Sequence, residues 1–132
     1  KVGLFLKKRK KNLIYFYKKL SKLNEISILK SNSKRLKSSY YCMTIIFKKK
    51  NIYRNREKII KFLNKNGVGT SIYYPHSVPA MKYYKKKYKI NFNKFKNSED
   101  IGKKSIALPV GPHLTKKDLD YIILNLKKIL KK

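Results

Sequence analysis

The chain has 132 residues, a formal net charge of +30 and a hydrophobic fraction of 42%, which fits one domain with its own core and excludes a wholly disordered chain. Its one cysteine, Cys42, excludes an internal disulfide framework and a cysteine-based metal cluster, and no apolar run approaches the ~18 residues of a membrane span. The opening KVGLFLKKRKK holds too short an apolar run for a signal peptide, so a cytoplasmic location is expected, and a first residue of Lys rather than Met suggests that a preceding segment is missing.

Leu6, Leu13, Phe16, Leu20 and Leu23 fall on one face of a helix expected over residues 4–23. EISIL reads as a short strand and KSNSKRLKSS as a loop. YYCMTIIF is rich in β-branched and aromatic residues and reads as a buried strand, with Cys42 packed as a small hydrophobe. NREKIIKFLNKNG predicts a second helix: Asn55 caps it, Ile59, Ile60 and Leu63 form its buried side, and Gly67 ends it in the left-handed conformation.

TSIYY reads as a strand stopped by Pro75, which has no amide hydrogen to give a ladder. VPAMKYYKKKY predicts a short helix begun by a proline. KINFNKFK fits no single element. NSEDIGKKS predicts another short helix, with acids in its first turn to offset the helix dipole. The final helix carries the stripe Leu119, Ile122, Ile123, Leu126, Ile129 and Leu130. Thr115 and Asp118 have capping-box spacing before it, and Leu114 and Leu119 stand where a hydrophobic staple would. The order implies an α/β or small α+β domain, with helices packed on a three- to four-stranded sheet.

Few residues could carry chemistry. Glu99 and Asp100 are adjacent, and adjacent helical positions do not face each other. Asp118 is explained by capping and Asp120 by solvent exposure. No Gly-rich phosphate loop, nucleophile elbow or metal-ligand spacing is found, and His113, between Pro112 and Leu114, reads as a loop residue. His76 differs: it follows a strand end, between Pro75 and Ser77, with Tyr73 and Tyr74 just before it. Loops beyond strand ends are where ligand contacts concentrate, and His and Tyr can bond a phosphate or a sugar hydroxyl. A tight aromatic turn with an exposed histidine is the plainer reading, and both stand open on chemistry alone.

The motifs Gly67-Val68-Gly69-Thr70, Tyr74-Pro75-His76, Ser98-Glu99 and Leu108-Pro109-Val110-Gly111-Pro112 with Leu114-Thr115 follow one another in this order along the chain. Together they resemble the C-terminal domain of the DegT/StrS family of pyridoxal-phosphate-dependent sugar aminotransferases. The first helix, with Arg9 and Tyr17, resembles that family's corresponding helix. The resemblance implies the small C-terminal domain of a fold-type I transferase, with residues 1–132 as one domain of a longer enzyme. That enzyme would be a homodimer moving an amino group, typically from glutamate, to a keto group of a nucleotide-linked sugar, as in polysaccharide or amino-sugar biosynthesis. Pyridoxal 5'-phosphate and its Schiff-base lysine would belong mainly to an N-terminal domain outside this chain. The 132-residue chain alone is therefore expected to be inactive. Tyr73, Tyr74 and His76 would contact the sugar nucleotide, although YYPHSVP is shorter than the loop of many relatives.

Two other readings compete. MKYYKKKYKINFNKFK interleaves Lys with Tyr and Phe, as single-strand nucleic-acid binders do. A stand-alone lysine-rich binding module is the alternative. Against it, only Arg9, Arg35, Arg54 and Arg56 among the basic residues are arginines, and it is Arg whose planar fork grips phosphates and guanine edges. Lys, Asn, Ile and Tyr also share A/T-rich codons, so a strongly A/T-rich genome would give this charge without selection for a ligand. The third reading is a structural domain serving only dimer contacts.

Overall fold

The computed structural model describes residues 1–29 and 35–131, so part of the loop expected over 30–39 lies outside the described residues. Helix α1 spans Val2–Leu20 and buries Leu13, Phe16 and Leu20 of the expected face, while Leu6 is only half-buried. Lys18 and Lys19 occupy its last turn, where cations meet the negative end of the helix dipole. Leu23 lies beyond the helix and packs against the same core from the following turn.

Strands β1 (Ile26–Ile28), β2 (Met43–Phe47) and β3 (Ser105–Leu108) form one antiparallel sheet in the order β1-β2-β3. In register, Ile26 faces Phe47, and Ile45 faces Ile28 on one side and Ile106 on the other. Because side chains alternate across a strand, Met43, Ile45, Phe47, Ile106 and Leu108 point to one face and are buried there. That face packs against α1, α3 (Arg56–Lys65) and α6 (Lys116–Leu130), which contribute Phe16, Ile59, Leu63, Leu119, Ile122 and Leu126. The result is an α+β domain, as the patterning implied.

Two strand assignments change. SIAL was not expected to pair, yet it is β3, with all four residues buried. TSIYY was expected to be a strand, but only Ser71 pairs, in an isolated bridge to Ala107. Its neighbours leave the sheet edge to pass beneath α5 (Lys96–Lys104), as the Gly102 contact described below shows.

The helix assignments are refined as well. A short helix α2 (Lys50–Arg54) runs directly into α3. Asn55 makes no capping bond to the helix that follows it; its side chain instead donates to the Asn51 carbonyl at 2.8 Å. Gly67 has φ of +72°, the left-handed turn expected of it. The helix read into residues 78–88 is two pieces, a 3-10 turn (Val78–Ala80) and α4 (Lys82–Lys87), because Met81 between them is extended. KINFNKFK contains a 3-10 turn over Phe92–Phe95.

Helix α6 has its full capping box. The Thr115 hydroxyl accepts from the Asp118 amide at 3.3 Å, and the Asp118 carboxylate accepts from the Thr115 amide at 2.7 Å. Leu114 and Leu119 both join the core, as a staple would have them. No helix among the described residues is long and apolar enough to cross a membrane.

Candidate functional site

The Tyr-Tyr-Pro-His turn hangs from the outer edge of β3. The Ser71 amide donates to the Ala107 carbonyl at 3.2 Å, and the Ala107 amide donates back to Ser71 at 2.8 Å. Beyond this bridge Tyr73, Tyr74, Pro75 and His76 are all exposed. Tyr73 and Tyr74 open onto a cleft of about 250 Å3, whose walls include Leu29, Tyr41, Cys42 and Thr44. The Tyr41 and Tyr73 rings meet edge to face, with centroids 5.8 Å apart and an interplanar angle of 71°. Tyr74 beside it, and then partial burial, push the Tyr41 hydroxyl above the ordinary tyrosine range. Cys42 is half-buried in the same wall, its Sγ 3.0 Å from the Thr44 hydroxyl.

Tyr40, the residue before Tyr41, has φ of +52°. A bulky residue with positive φ is rare and strained. Here Tyr40 packs against the core while Tyr41 lines the cleft. Sequence reasoning placed Tyr41 in the strand and missed it as a wall of the site. A tyrosine pair at the mouth of a strand was the available signal.

The three residues singled out in the sequence are therefore close in the chain but not equivalent in space. Tyr73 and Tyr74 line the cleft, and His76 does not. Ser77, the next residue, is only 4% exposed. Its hydroxyl donates to the Glu99 carboxylate at 2.9 Å, and Lys103 stands 3.2 Å from the other Glu99 oxygen. The Ser77 hydroxyl foremost, and Lys103 next, hold Glu99 below the usual carboxylate range. Glu99 is thus committed to a structural contact. Asp100 pairs with Lys104 at 2.6 Å. Asp120, expected to be merely solvated, accepts from the Tyr15 hydroxyl at 2.5 Å.

A larger cleft, about 530 Å3, lies between α1 and the start of α6 and includes His113. It takes in none of Tyr73, Tyr74 or His76. Three of its polar side chains serve the fold: Asn12 donates to the Gly111 carbonyl at 2.9 Å, Tyr15 donates to Asp120, and Thr115 caps α6. The lysine-aromatic stretch is also internally engaged. Tyr84 stacks with Tyr88 at 6.3 Å and meets Tyr83 edge to face at 5.2 Å, and the Lys87 ammonium lies 5.4 Å from the Tyr83 ring. That arrangement does not favour a base-stacking platform.

The fold and the edge-hung aromatic turn define a small α+β domain, and the family match gives it its class. Residues 1–127 match the model of the DegT/DnrJ/EryC1/StrS aminotransferase family, and the chain belongs to that family. It is 25% identical over 127 residues to the uncharacterized protein MJ1066 of Methanocaldococcus jannaschii, covering 95% of this chain and 32% of that protein. Its fold matches that of PseC of Helicobacter pylori, an aminotransferase involved in the biosynthesis of pseudoaminic acid, with a TM-score of 0.83 and 18% identity over 98% of this chain and 33% of that one. It also matches the aminotransferase TlmJ of Streptoalloteichus hindustanus, with a TM-score of 0.82 and 17% identity over 98% of this chain and 33% of that one. The chain thus spans about a third of the length of the relatives it matches.

Proposed function

We propose that this chain is the C-terminal domain of a longer pyridoxal-phosphate-dependent enzyme. That enzyme transfers an amino group, from glutamate, to a keto group of a nucleotide-linked sugar, and works as a cytoplasmic homodimer. The carrying observation is the family match over residues 1–127 in a chain one third the length of its relatives. When bound, the cofactor supplies the electron sink for the transfer. This chain's own residues do not fit the cofactor: a Schiff-base lysine is activated by burial, and no lysine among the described residues is buried. The cofactor pocket is accordingly assigned to the remainder of the protein, and no chemical step is assigned to this domain.

The role left to the domain is to bind and orient. Tyr73 and Tyr74 would wall the sugar nucleotide's cleft with their rings and offer hydroxyls to it, and His76 would meet it from the outer side of the turn. Apolar side chains exposed on α1 (Val2, Leu4, Phe5, Ile14) and on α6 (Leu124) support the reading, since they suit packing against a further domain or subunit.

The test begins with the DNA upstream of the Lys1 codon. An in-frame extension encoding a lysine in a cofactor-binding context is expected, and a start codon directly before Lys1 would sink the proposal. With the longer protein in hand, glutamate-dependent amination of a UDP-linked 4-keto-hexose is measured. Tyr74→Phe and His76→Asn are expected to raise KM about three- to tenfold, the worth of one lost hydrogen bond.

A further inference from the structure

Over residues 70–91 and 94–104 no hydrophobic side chain is buried, yet Ser77 and Gly102 are. The two join the same pair of segments, the turn and α5. Ser77 donates to Glu99 of α5 at 2.9 Å, and Gly102, three residues further along α5, lies against the turn itself. A Cβ at position 102 would stand 3.1 Å from the Tyr74 carbonyl oxygen, 3.2 Å from the Pro75 carbonyl oxygen and 3.3 Å from the Pro75 carbonyl carbon. These are backbone atoms, which cannot swing away as a side-chain end can, so a methyl group there would move the turn or the helix. Helix α5 is itself tied to the core. The Arg56 guanidinium, on α3, donates to the Gly102 carbonyl at 2.5 Å and to the Ser105 carbonyl at 3.3 Å. Helix α3 is anchored by buried Ile59 and Leu63.

We propose that Ser77, Glu99 and Gly102 are positioning residues that clamp the Tyr73–His76 turn to α5, with Arg56 locking α5 to the core. The clamp's relevance to catalysis rests on the reading of that turn as substrate-facing. It substitutes for apolar burial. The turn keeps its aromatic residues exposed to a ligand while its backbone is held at two points, by the Ser77 side chain and by the close approach at Gly102. A turn anchored by burying its own Tyr or His would lose those groups for binding.

The chain offers an internal control, because its two histidines lie in different regions: His76 in the turn and His113 before α6. The imidazole Cε1–H resonances of the 132-residue chain are recorded by NMR, with His113→Gln for assignment. Ser77→Ala, Glu99→Ala and Gly102→Ala are each expected to shift the His76 resonance by more than a linewidth and leave His113 in place. Glu99→Gln keeps an oxygen that accepts from Ser77 and is expected to hold His76 near its wild-type position. An unmoved His76 in all three alanine variants overturns the proposal. So does loss of the whole fold in Ser77→Ala, since a local clamp does not hold the core. In the longer protein, Ser77→Ala and Gly102→Ala are expected to raise KM for the UDP-linked 4-keto-hexose at least about threefold. A shifted His76 with unchanged KM would uphold the clamp and remove the substrate reading of the turn, so the two ideas fail separately.

Discussion

Residues 69–105 and the rest of the chain achieve order by different means. Outside that segment, buried apolar side chains converge from α1, α3, α6 and the inner face of the sheet, with Phe16, Phe47, Leu63 and Leu126 fully enclosed. Within it, residues 70–91 and 94–104 contribute no buried hydrophobic side chain, and they are held by the Ser71–Ala107 bridge, the Ser77–Glu99 bond and the backbone contact at Gly102. Apolar burial is non-directional and tolerates small shifts, whereas a hydrogen bond or a backbone contact holds one geometry. A site that must present aromatic and polar groups to a ligand gains from the second kind of support.

The largest test of this contrast is Phe16→Ala, which removes a fully enclosed ring and is expected to cost about 3–5 kcal/mol in urea denaturation. A cost near zero would mean that the core does not dominate stability. Gly102→Ala comes next. Alanine favours a helix by ~0.5–1 kcal/mol over glycine, but crowding against backbone costs ~1–3 kcal/mol. A net loss of about 1 kcal/mol is expected, and a net gain would show that the turn yields freely. Thr115→Ala opens the α6 capping box and should cost about 1 kcal/mol by the same measurement, without altering the Tyr73–His76 turn.

The acid response should be smaller. Glu99 is held below the usual carboxylate range by the Ser77 hydroxyl first and Lys103 second, and Lys85 lines a small cleft together with Ser77, Glu99 and Lys103. The Thr115 amide first, and its hydroxyl second, do the same for Asp118. The unfolded state therefore binds more protons than the folded state as pH falls. Each contribution is fully present above the unfolded carboxylate value of ~4 and is lost as pH drops through the lowered folded value. The urea midpoint is expected to fall less between pH 6 and pH 3 in Glu99→Gln than in the wild type. Equal falls would remove Glu99 from the account. The smallest stability effect belongs to Tyr74→Ala, expected within about 0.5 kcal/mol because the side chain is 69% exposed. A larger loss would mean that Tyr74 supports the fold rather than the cleft.

The same contrast divides what could be read from the amino-acid order. The apolar face of α1, the capping box of α6 and the left-handed Gly67 are local events, written in spacings of three, four or one residue, and each appears in the structure at its expected position. The family motifs were legible for the same reason, and they led to the family to which the chain belongs. Strand β3 was not legible. Its four residues become a strand only by pairing with β2, far back in the chain, while TSIYY has a strand's composition but pairs only through Ser71. Tyr73 and Tyr74 were visible as candidates; their neighbour Tyr41 was not, because the cleft they share is built from segments far apart in the chain.

Gly102 left a trace, since a glycine inside a helical pattern often marks close packing. Its contact with Tyr74 and Pro75, however, belongs to the folded state alone. The sequence by itself thus determined the core helices, the cap of α6 and the family, because helix periodicity and capping act over a turn or two of chain. Only the tertiary structure decided which strand completes the sheet, which aromatic residues share a cleft and what holds the turn beside it. Those depend on pairings between distant segments, whose geometry exists only once the sheet and α5 have come together.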